Sequence, residues 1–183
     1  MKERSESFIG QASSNELRIA LHYKDAAEIL YNSPAYQDGI SLPFLFLVRQ
    51  FLELGLKYNI KKLSEFSKKK DLITSLNVEH DLQIIHGAFL THFNGAKNEL
   101  KISKLKEQKY LAALATLIEK IISLDKNSQG FRYAVDKESK KLIEMDKTFN
   151  LKEVFDLLEY SSNVLAHTED VLNLETTTEQ DKA

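Results

Sequence analysis

The chain has 183 residues, 43% of them hydrophobic and 28% charged, which is the composition of a soluble globular protein of about one domain. A net charge of −2 provides no overall basic field for nucleic acid or an anionic membrane, and the absence of cysteine excludes disulfides, thiolate catalysis and cysteine zinc sites. The polar residues 1–14 lack a signal-peptide core. The longest unbroken apolar run, residues 44–48, is far shorter than the roughly 20 residues of a membrane span, so we expect a cytoplasmic protein that does not enter the membrane.

The first predicted element is a helix in "SSNELRIALHYKDAAEILYN", with Ser13 or Ser14 as its N-cap and apolar residues at helical spacing. A loop follows, because Pro34 and Gly39 interrupt the pattern. The second helix is predicted over residues 42–60, with Pro43 in its first turn. Its apolar residues fall on nearly every side, which predicts the central, most buried helix.

The lysine-rich stretch "KKLSEFSKKKDLITSLNVE" predicts a short helix or an ordered loop. Apolar residues three and four apart predict a third helix over 81–96 and a fourth over 104–124. Alternation of period two in "FRYAVDKESKKLIEMD", residues 131–146, predicts a β-hairpin. The last helix is predicted over 151–174.

Together these elements predict an all-α fold, an up-and-down bundle of about five helices with a small β-hairpin inserted before the last helix. Residues 1–174 would form a single helical domain. Residues 175–183 would form a flexible acidic tail.

The second helix carries charged residues inside its most apolar stretch. Arg49 and Glu53 are four residues apart, hence neighbours on one face, and Lys57 continues the line. A buried guanidinium requires a partner, and Glu53 is the obvious one. Two interpretations stay open. In one, Arg49 and Glu53 form a half-exposed ion pair at the rim of the helix; in the other, they face a groove or a subunit interface and bind something.

Several segments together resemble a known family. They are "FLVRQFLELGLK" at 46–57, "EHDLQII" at 79–85, "FRYAVDKE" at 131–138 and the closing "LKEVFDLLEYSSNVLAH" at 151–167. In order and spacing they resemble a bacterial group within the HEPN superfamily whose helix reads R-H-x-x-E-L-x-L-K. The resemblance covers about residues 15–172. It implies an all-α bundle, often dimeric, of the kind common in bacterial conflict, defence and toxin–antitoxin systems.

Many catalytic members of that superfamily cleave RNA with an arginine and a histidine that have four to six residues between them. Histidine serves as acid or base near neutral pH, and arginine holds the phosphate. After Arg49 the required positions 54–56 are leucine, glycine and leucine, and Gln50 replaces the family's usual histidine. Arg18 and His22 share a helical face but are one position too close. We therefore assign no catalytic residue.

Other constellations are weaker. His80, His86 and His92 recur every six residues, so successive histidines do not share a helical face, and we predict no metal site. No motif implies a cofactor. If the chain binds RNA, the residues that would do so are Arg18, His22, Lys68, Lys69 and Lys70, in addition to the Arg49 line.

In the predicted hairpin, Phe131, Tyr133 and Val135 would share one face, which either covers the bundle or belongs to an edge strand offered to a partner. In the second case Arg132 and Tyr133 would be anchors, with Arg49 and Glu53 as further binding residues.

The function predicted first is that of a non-catalytic protein-interaction module of a bacterial conflict system, immunity- or antitoxin-like, with a basic toxin among its candidate partners. The alternative is an RNA-binding or degenerate ribonuclease domain. A homodimer fits either.

Overall fold

The computed structural model describes residues 15–69, 79–102, 107–125, 130–132 and 148–180. These residues form five α-helices, which confirms the predicted all-α helical bundle: α1 Glu16–Tyr31, α2 Gln37–Ser67, α3 Leu82–Glu99, α4 Gln108–Leu124 and α5 Leu151–Gln180. The described ranges contain no strand, and residues 130–132 form a turn. The rest of the predicted hairpin, including Tyr133, lies outside the described residues.

Helix α1 begins one residue later than the predicted caps allow. Its N-cap is Asn15, whose side-chain oxygen accepts hydrogen bonds from the backbone N–H of Leu17 (2.8 Å) and of Arg18 (3.4 Å). Asparagine satisfies the free N–H groups of a first turn as well as serine does, so the prediction of Ser13 or Ser14 as the cap was wrong.

Helix α2 is much longer than predicted. It spans 31 residues, about 46 Å at ~1.5 Å per residue, and extends five residues before and seven residues beyond the predicted 42–60. Pro43 therefore lies in its second turn. Because proline has no N–H, the carbonyl of Gly39 receives no helical hydrogen bond from position 43, and Gly39 is exposed to solvent. At the other end Leu63 and Ser67 are 1% exposed, so residues 61–67 of the lysine-rich stretch continue the helix. Residues 70–78 of that stretch lie outside the described residues.

The remaining helices differ from the predictions mainly at their ends. Helix α3 begins after its N-cap Asp81, whose carboxylate accepts the N–H of Gln83 at 2.8 Å. Helix α4 begins at Gln108, four residues after the predicted start, and α5 continues six residues past the predicted end.

The predicted up-and-down order is wrong at one step, because α2 and α3 run parallel. The middle of α2 contacts the start of α3 through Glu53 and His80, and the end of α2 contacts the later part of α3 through Ser67 and His92. The other successive pairs are antiparallel, because each has one contact beside its connection and a second one far from it. These contacts are Tyr31–Phe44 with Glu16–Lys61 for α1 and α2, Lys97–Glu107 with the charge of Glu119 acting on His86 for α3 and α4, and Lys120–Glu153 with Tyr110–Tyr160 for α4 and α5. The physical reason is the length of α2, since the chain returns to the middle of that helix before α3 begins.

Helix α2 occupies the centre of the bundle, as predicted, and packs against all four other helices. The core is built from its apolar residues and those facing it. The largest fully buried side chains are Phe44, Leu45, Phe51, Leu52, Leu56, Leu63, Leu82, Ile85, Phe89, Leu114, Leu117 and Ile121. Burial of this apolar surface is the dominant stabilising term for the fold.

Helix α2 also meets the length and composition of a membrane span, although 56% of the relevant window is buried inside the bundle. The same helix buries Arg49, Glu53 and Lys57. A core helix of a soluble protein has these properties.

A close contact between α2 and α3 gives a first testable prediction. A Cβ atom added at Gly95 would lie 2.9 Å from Cβ and 3.1 Å from the carbonyl oxygen of Ser67. Ser67 cannot move away without straining its 2.8 Å hydrogen bond to His92. We expect Gly95→Ala to lower the free energy of unfolding by about 1–2 kcal/mol, because overpacking outweighs the gain in helix propensity.

Gly87→Ala is the matched control in the same helix. An added Cβ there meets nothing within 4 Å, so the gain in helix propensity should raise the free energy of unfolding by about 0.5–1 kcal/mol. Urea unfolding of both variants measures the difference. Equal stabilisation by the two substitutions would contradict the close α2–α3 contact.

Candidate functional site

The candidate site forms around Arg49, Glu53 and Lys57, which we call the polar line of α2. All three are buried, with 2%, 6% and 7% of their surfaces exposed. They are therefore not at a half-exposed rim, and this interpretation of the sequence was wrong. Helical spacing of four residues places the three side chains along one face, and that face points to the start of α3 and the end of α4.

The Arg49 guanidinium binds backbone instead of Glu53. Nη2 donates a hydrogen bond to the carbonyl of His80 at 2.9 Å, and Nη1 donates to the carbonyl of Asp125 at 3.4 Å. Arg49 and Glu53 make no direct ion pair in the described contacts. Burial lowers the pKa of Arg49, while the charges of Asp125, Glu53 and Asp81 act in the opposite direction. Arg49 thus connects α2 by hydrogen bonds to His80, just before α3, and to Asp125, just after α4.

Asp125 is the residue of this site that the sequence did not point to. It follows α4, is 1% exposed, and accepts the N–H of Gly130 through Oδ1 at 3.0 Å. Its Oδ2 and the Nε of Arg49 are buried and lack a hydrogen-bond partner among the described residues. The nearby negative charge compensates the buried guanidinium without direct side-chain contact.

Glu53 pairs with two other groups. Its Oε1 accepts a hydrogen bond from the ammonium group of Lys57 at 2.9 Å and lies 2.7 Å from Nδ1 of His80. The Lys57–Glu53 pair is buried, whereas 59% of the His80 side chain is exposed. A carboxylate at Nδ1 favours the tautomer with its proton on Nδ1, which leaves Nε2 free to accept a proton from solvent or a ligand.

Three of the four sequence segments on which the resemblance was based meet here. Arg49 and Glu53 belong to the first, His80 to the second and Arg132 to the third, and the charge of Arg132 acts on Arg49. Arg132 itself is exposed, in the turn that follows Gly130. Of the four predicted binding residues, the structure thus brings Arg49, Glu53 and Arg132 to one region, and Tyr133 lies outside the described residues.

The candidate nucleic-acid residues that the structure describes do not join this site. Arg18 and His22 are exposed on α1, and no described contact links them to the lysines. Lys68 ends α2 in the left-handed conformation (φ 50°) and pairs with Glu99 at 2.5 Å. Lys69 is exposed, and Lys70 lies outside the described residues.

The three histidines spaced by six residues have separate surroundings. His80 contacts Glu53, and His92 is buried against Ser67. Burial lowers the pKa of His86, although the charge of Glu119 opposes the shift. No group of three or more metal-ligating side chains occurs in the ranges that the structure describes.

Comparison with known proteins gives no match. No family model, no curated protein and no solved structure matches this chain. The functional argument therefore rests on the residues and their geometry.

Proposed function

We propose that this protein is a non-catalytic protein-interaction module of a bacterial conflict or defence system, immunity- or antitoxin-like, that neutralises or regulates a partner protein in the cytoplasm. The observation that carries the proposal is the exposure of large apolar side chains around the turn between α1 and α2. Ile29 is 72%, Tyr36 77% and Leu42 43% exposed. Three of the five large apolar side chains that are exposed in the described ranges thus lie between positions 29 and 42. Exposed apolar side chains of this size are enriched at protein-binding surfaces. The place in a conflict system rests on the resemblance to the HEPN superfamily.

The charges of the described residues favour a protein partner over nucleic acid. Arg49 is buried and hydrogen-bonded to two carbonyls, so its guanidinium is not offered to a phosphate. Lys61 pairs with Glu16 at 2.6 Å, and Lys68 pairs with Glu99. Phosphate binding would have to displace these carboxylates, and the net charge of −2 gives little electrostatic attraction to replace them.

The proposal includes two further structural predictions made from the sequence, a β-hairpin and a homodimer. A β-hairpin over residues 131–146 would present Arg132 and Tyr133 at its edge as further anchors for the partner. A homodimer would be compatible with that arrangement.

Affinity capture of the tagged full-length chain from its native lysate tests the proposal. Proteins and nucleic acids are analysed in the same eluate, with and without prior RNase treatment. We expect one stoichiometric protein partner whose capture survives RNase. Recovery of RNA without a protein partner would overturn the interaction module.

The pair of His80 and Glu53 favours a second candidate function, an RNA-binding or degenerate ribonuclease domain. An exposed imidazole whose Nδ1 is held by a buried carboxylate has the form of a general acid–base group. In this interpretation His80, and not the histidine of a linear arginine–histidine motif, would take the proton of the attacking hydroxyl.

A matched pair of histidines distinguishes this candidate. His167 also contacts a carboxylate, that of Asp170 at 3.1 Å, but both of these side chains are exposed. If the chain cleaves single-stranded RNA through the site, His80→Asn should reduce cleavage at least a hundredfold, the usual scale for a lost acid–base group, and His167→Asn should not. Absence of cleavage by the wild-type chain, or equal effects of the two substitutions, would exclude the ribonuclease.

A further inference from the structure

A cavity of about 340 Å³ opens between the last turn of α4 and the start of α5. None of its described lining residues belongs to the polar line of α2 or contacts Arg49 in the hydrogen bonds given above. Small-molecule sites in proteins begin at about this volume, so the cavity suits a ligand of the size of a single amino acid.

One part of the lining is apolar. Leu124 ends α4, Phe149 precedes α5, and Val154 lies in the first turn of α5. Val154 is 1% exposed, and the other two side chains are partly buried against the core. These three residues are continuous with the core of the bundle, so they can take an apolar group of a ligand out of water.

The other part of the lining carries one charge of each sign. Lys120 Nζ lies 3.0 Å from a carboxylate oxygen of Glu153, with 34% and 50% of the two side chains exposed. No other charged residue lines the cavity among those that the structure describes. An ammonium group has three N–H donors and a carboxylate has two acceptor oxygens, so the pair can bind each other and a ligand at the same time.

Two uncharged polar side chains of the lining are engaged locally. Ser123 Oγ donates to the carbonyl of Lys120 at 2.7 Å, and Asn150 Oδ1 accepts the N–H of Glu153 at 3.1 Å. These bonds hold the end of α4 and the start of α5. The charged pair is thereby fixed beside the apolar part of the lining, which lowers the entropic cost of binding.

We propose that this cavity binds a small zwitterion with an apolar side chain, namely an apolar α-amino acid. The ligand carboxylate pairs with Lys120, its ammonium group pairs with Glu153, and its side chain contacts Leu124, Phe149 and Val154. Charge selects this class of ligand. A simple anion would compete with Glu153 for Lys120, and a simple cation would compete with Lys120 for Glu153, whereas a zwitterion complements both. This small-molecule site goes beyond the proposed interaction function and does not depend on it.

Titration of the isotope-labelled full-length chain with L-leucine and with L-phenylalanine, followed by NMR of the backbone amides, tests the inference. We expect saturable shifts, with a dissociation constant in the micromolar to millimolar range of so small a ligand, that are largest at Ser123, Asn150 and Val154. Isocaproate lacks the ammonium group of leucine, and isoamylamine lacks its carboxylate. Each should bind about tenfold or more weakly than leucine, because one charged group of the site loses its new partner. Glycine, which lacks the apolar side chain, should bind more weakly as well.

Substitutions then locate the site. Lys120→Met and Glu153→Gln change partly exposed side chains, so the fold should survive, and each should weaken leucine binding about tenfold or more. Lys61→Met is the matched control, because it removes a lysine from an exposed ion pair with Glu16 elsewhere in the bundle, and it should leave binding unchanged. Ser123→Phe adds a ring to the lining without a change in charge and should abolish binding, while a native-like spectrum shows that the chain is folded.

Three results would overturn the inference. They are the absence of saturable shifts with both amino acids, binding of isocaproate or isoamylamine as tight as that of leucine, and shifts that persist unchanged in Lys120→Met, Glu153→Gln and Ser123→Phe. None of these results affects the capture of a partner protein from the lysate. Failure of the amino-acid site is therefore distinguishable from failure of the interaction module.

Discussion

Replacing Arg49 by methionine is expected to lower the free energy of unfolding by about 3–5 kcal/mol, the cost typical of removing one member from a buried set of charges. The substitution leaves the carbonyls of His80 and Asp125 without their donor. It also leaves the buried carboxylate of Asp125 without the positive charge beside it, whereas Glu53 keeps its pair with Lys57. For a chain of this length the melting temperature should fall on the order of 10 °C.

Thermal and urea unfolding measure the effect, with Arg18→Met as the control because Arg18 is exposed on α1. The control should have the same melting temperature as the wild-type protein. If Arg49→Met leaves stability unchanged but abolishes capture of the partner, Arg49 is a binding residue and our structural interpretation fails.

The buried pair of Glu53 and Lys57 has the second large expected effect. Glu53→Met or Lys57→Met alone leaves the other member of the pair as a buried charge without its partner. Each substitution should therefore lower the free energy of unfolding by about 3–5 kcal/mol. The double substitution removes both charges and fills the space with apolar atoms, so it should recover most of that loss. His80, whose side chain is largely exposed, tolerates the missing carboxylate.

A double-mutant cycle of these variants by urea unfolding gives the coupling energy directly. The exposed pair of Lys152 and Asp156 serves as the comparison, since its members have the same spacing of four residues and are in contact with solvent. Strictly additive effects of Glu53→Met and Lys57→Met would contradict a buried, mutually dependent pair.

The helical class and the central place of α2 were predictable because they depend on local patterns. Few prolines and glycines, and apolar residues at spacings of three and four, dictate helices whatever the tertiary structure. The full length of α2 could also have been predicted from the sequence. Ile60, Leu63 and Ser67 continue the buried face at helical spacing, but the lysines among them resembled a solvated linker.

The contacts of the candidate site could not be predicted in the same way. Glu53 was expected to pair with Arg49, because residues four apart on a helix are neighbours. In the fold Arg49 instead reaches Asp125, 76 residues away, and His80, 31 residues away. The contact with His80 depends on the parallel arrangement of α2 and α3, and the contact with Asp125 depends on where α4 ends. Nothing in the local sequence specifies how helices are oriented relative to each other.

The parallel arrangement of α2 and α3 also has a consequence for how the chain folds. In an antiparallel pair the contacts beside the turn are local, so they form first and bring later ones together. In a parallel pair every contact closes a loop of similar length, 27 residues for Glu53 with His80 and 25 for Ser67 with His92. We therefore expect α3 to dock on α2 late in folding, because no nearer contact between the two helices reduces the entropic cost of closing the loop. We therefore expect substitutions at groups that hold α3 in place, such as Arg49, to raise the unfolding rate more than they lower the folding rate.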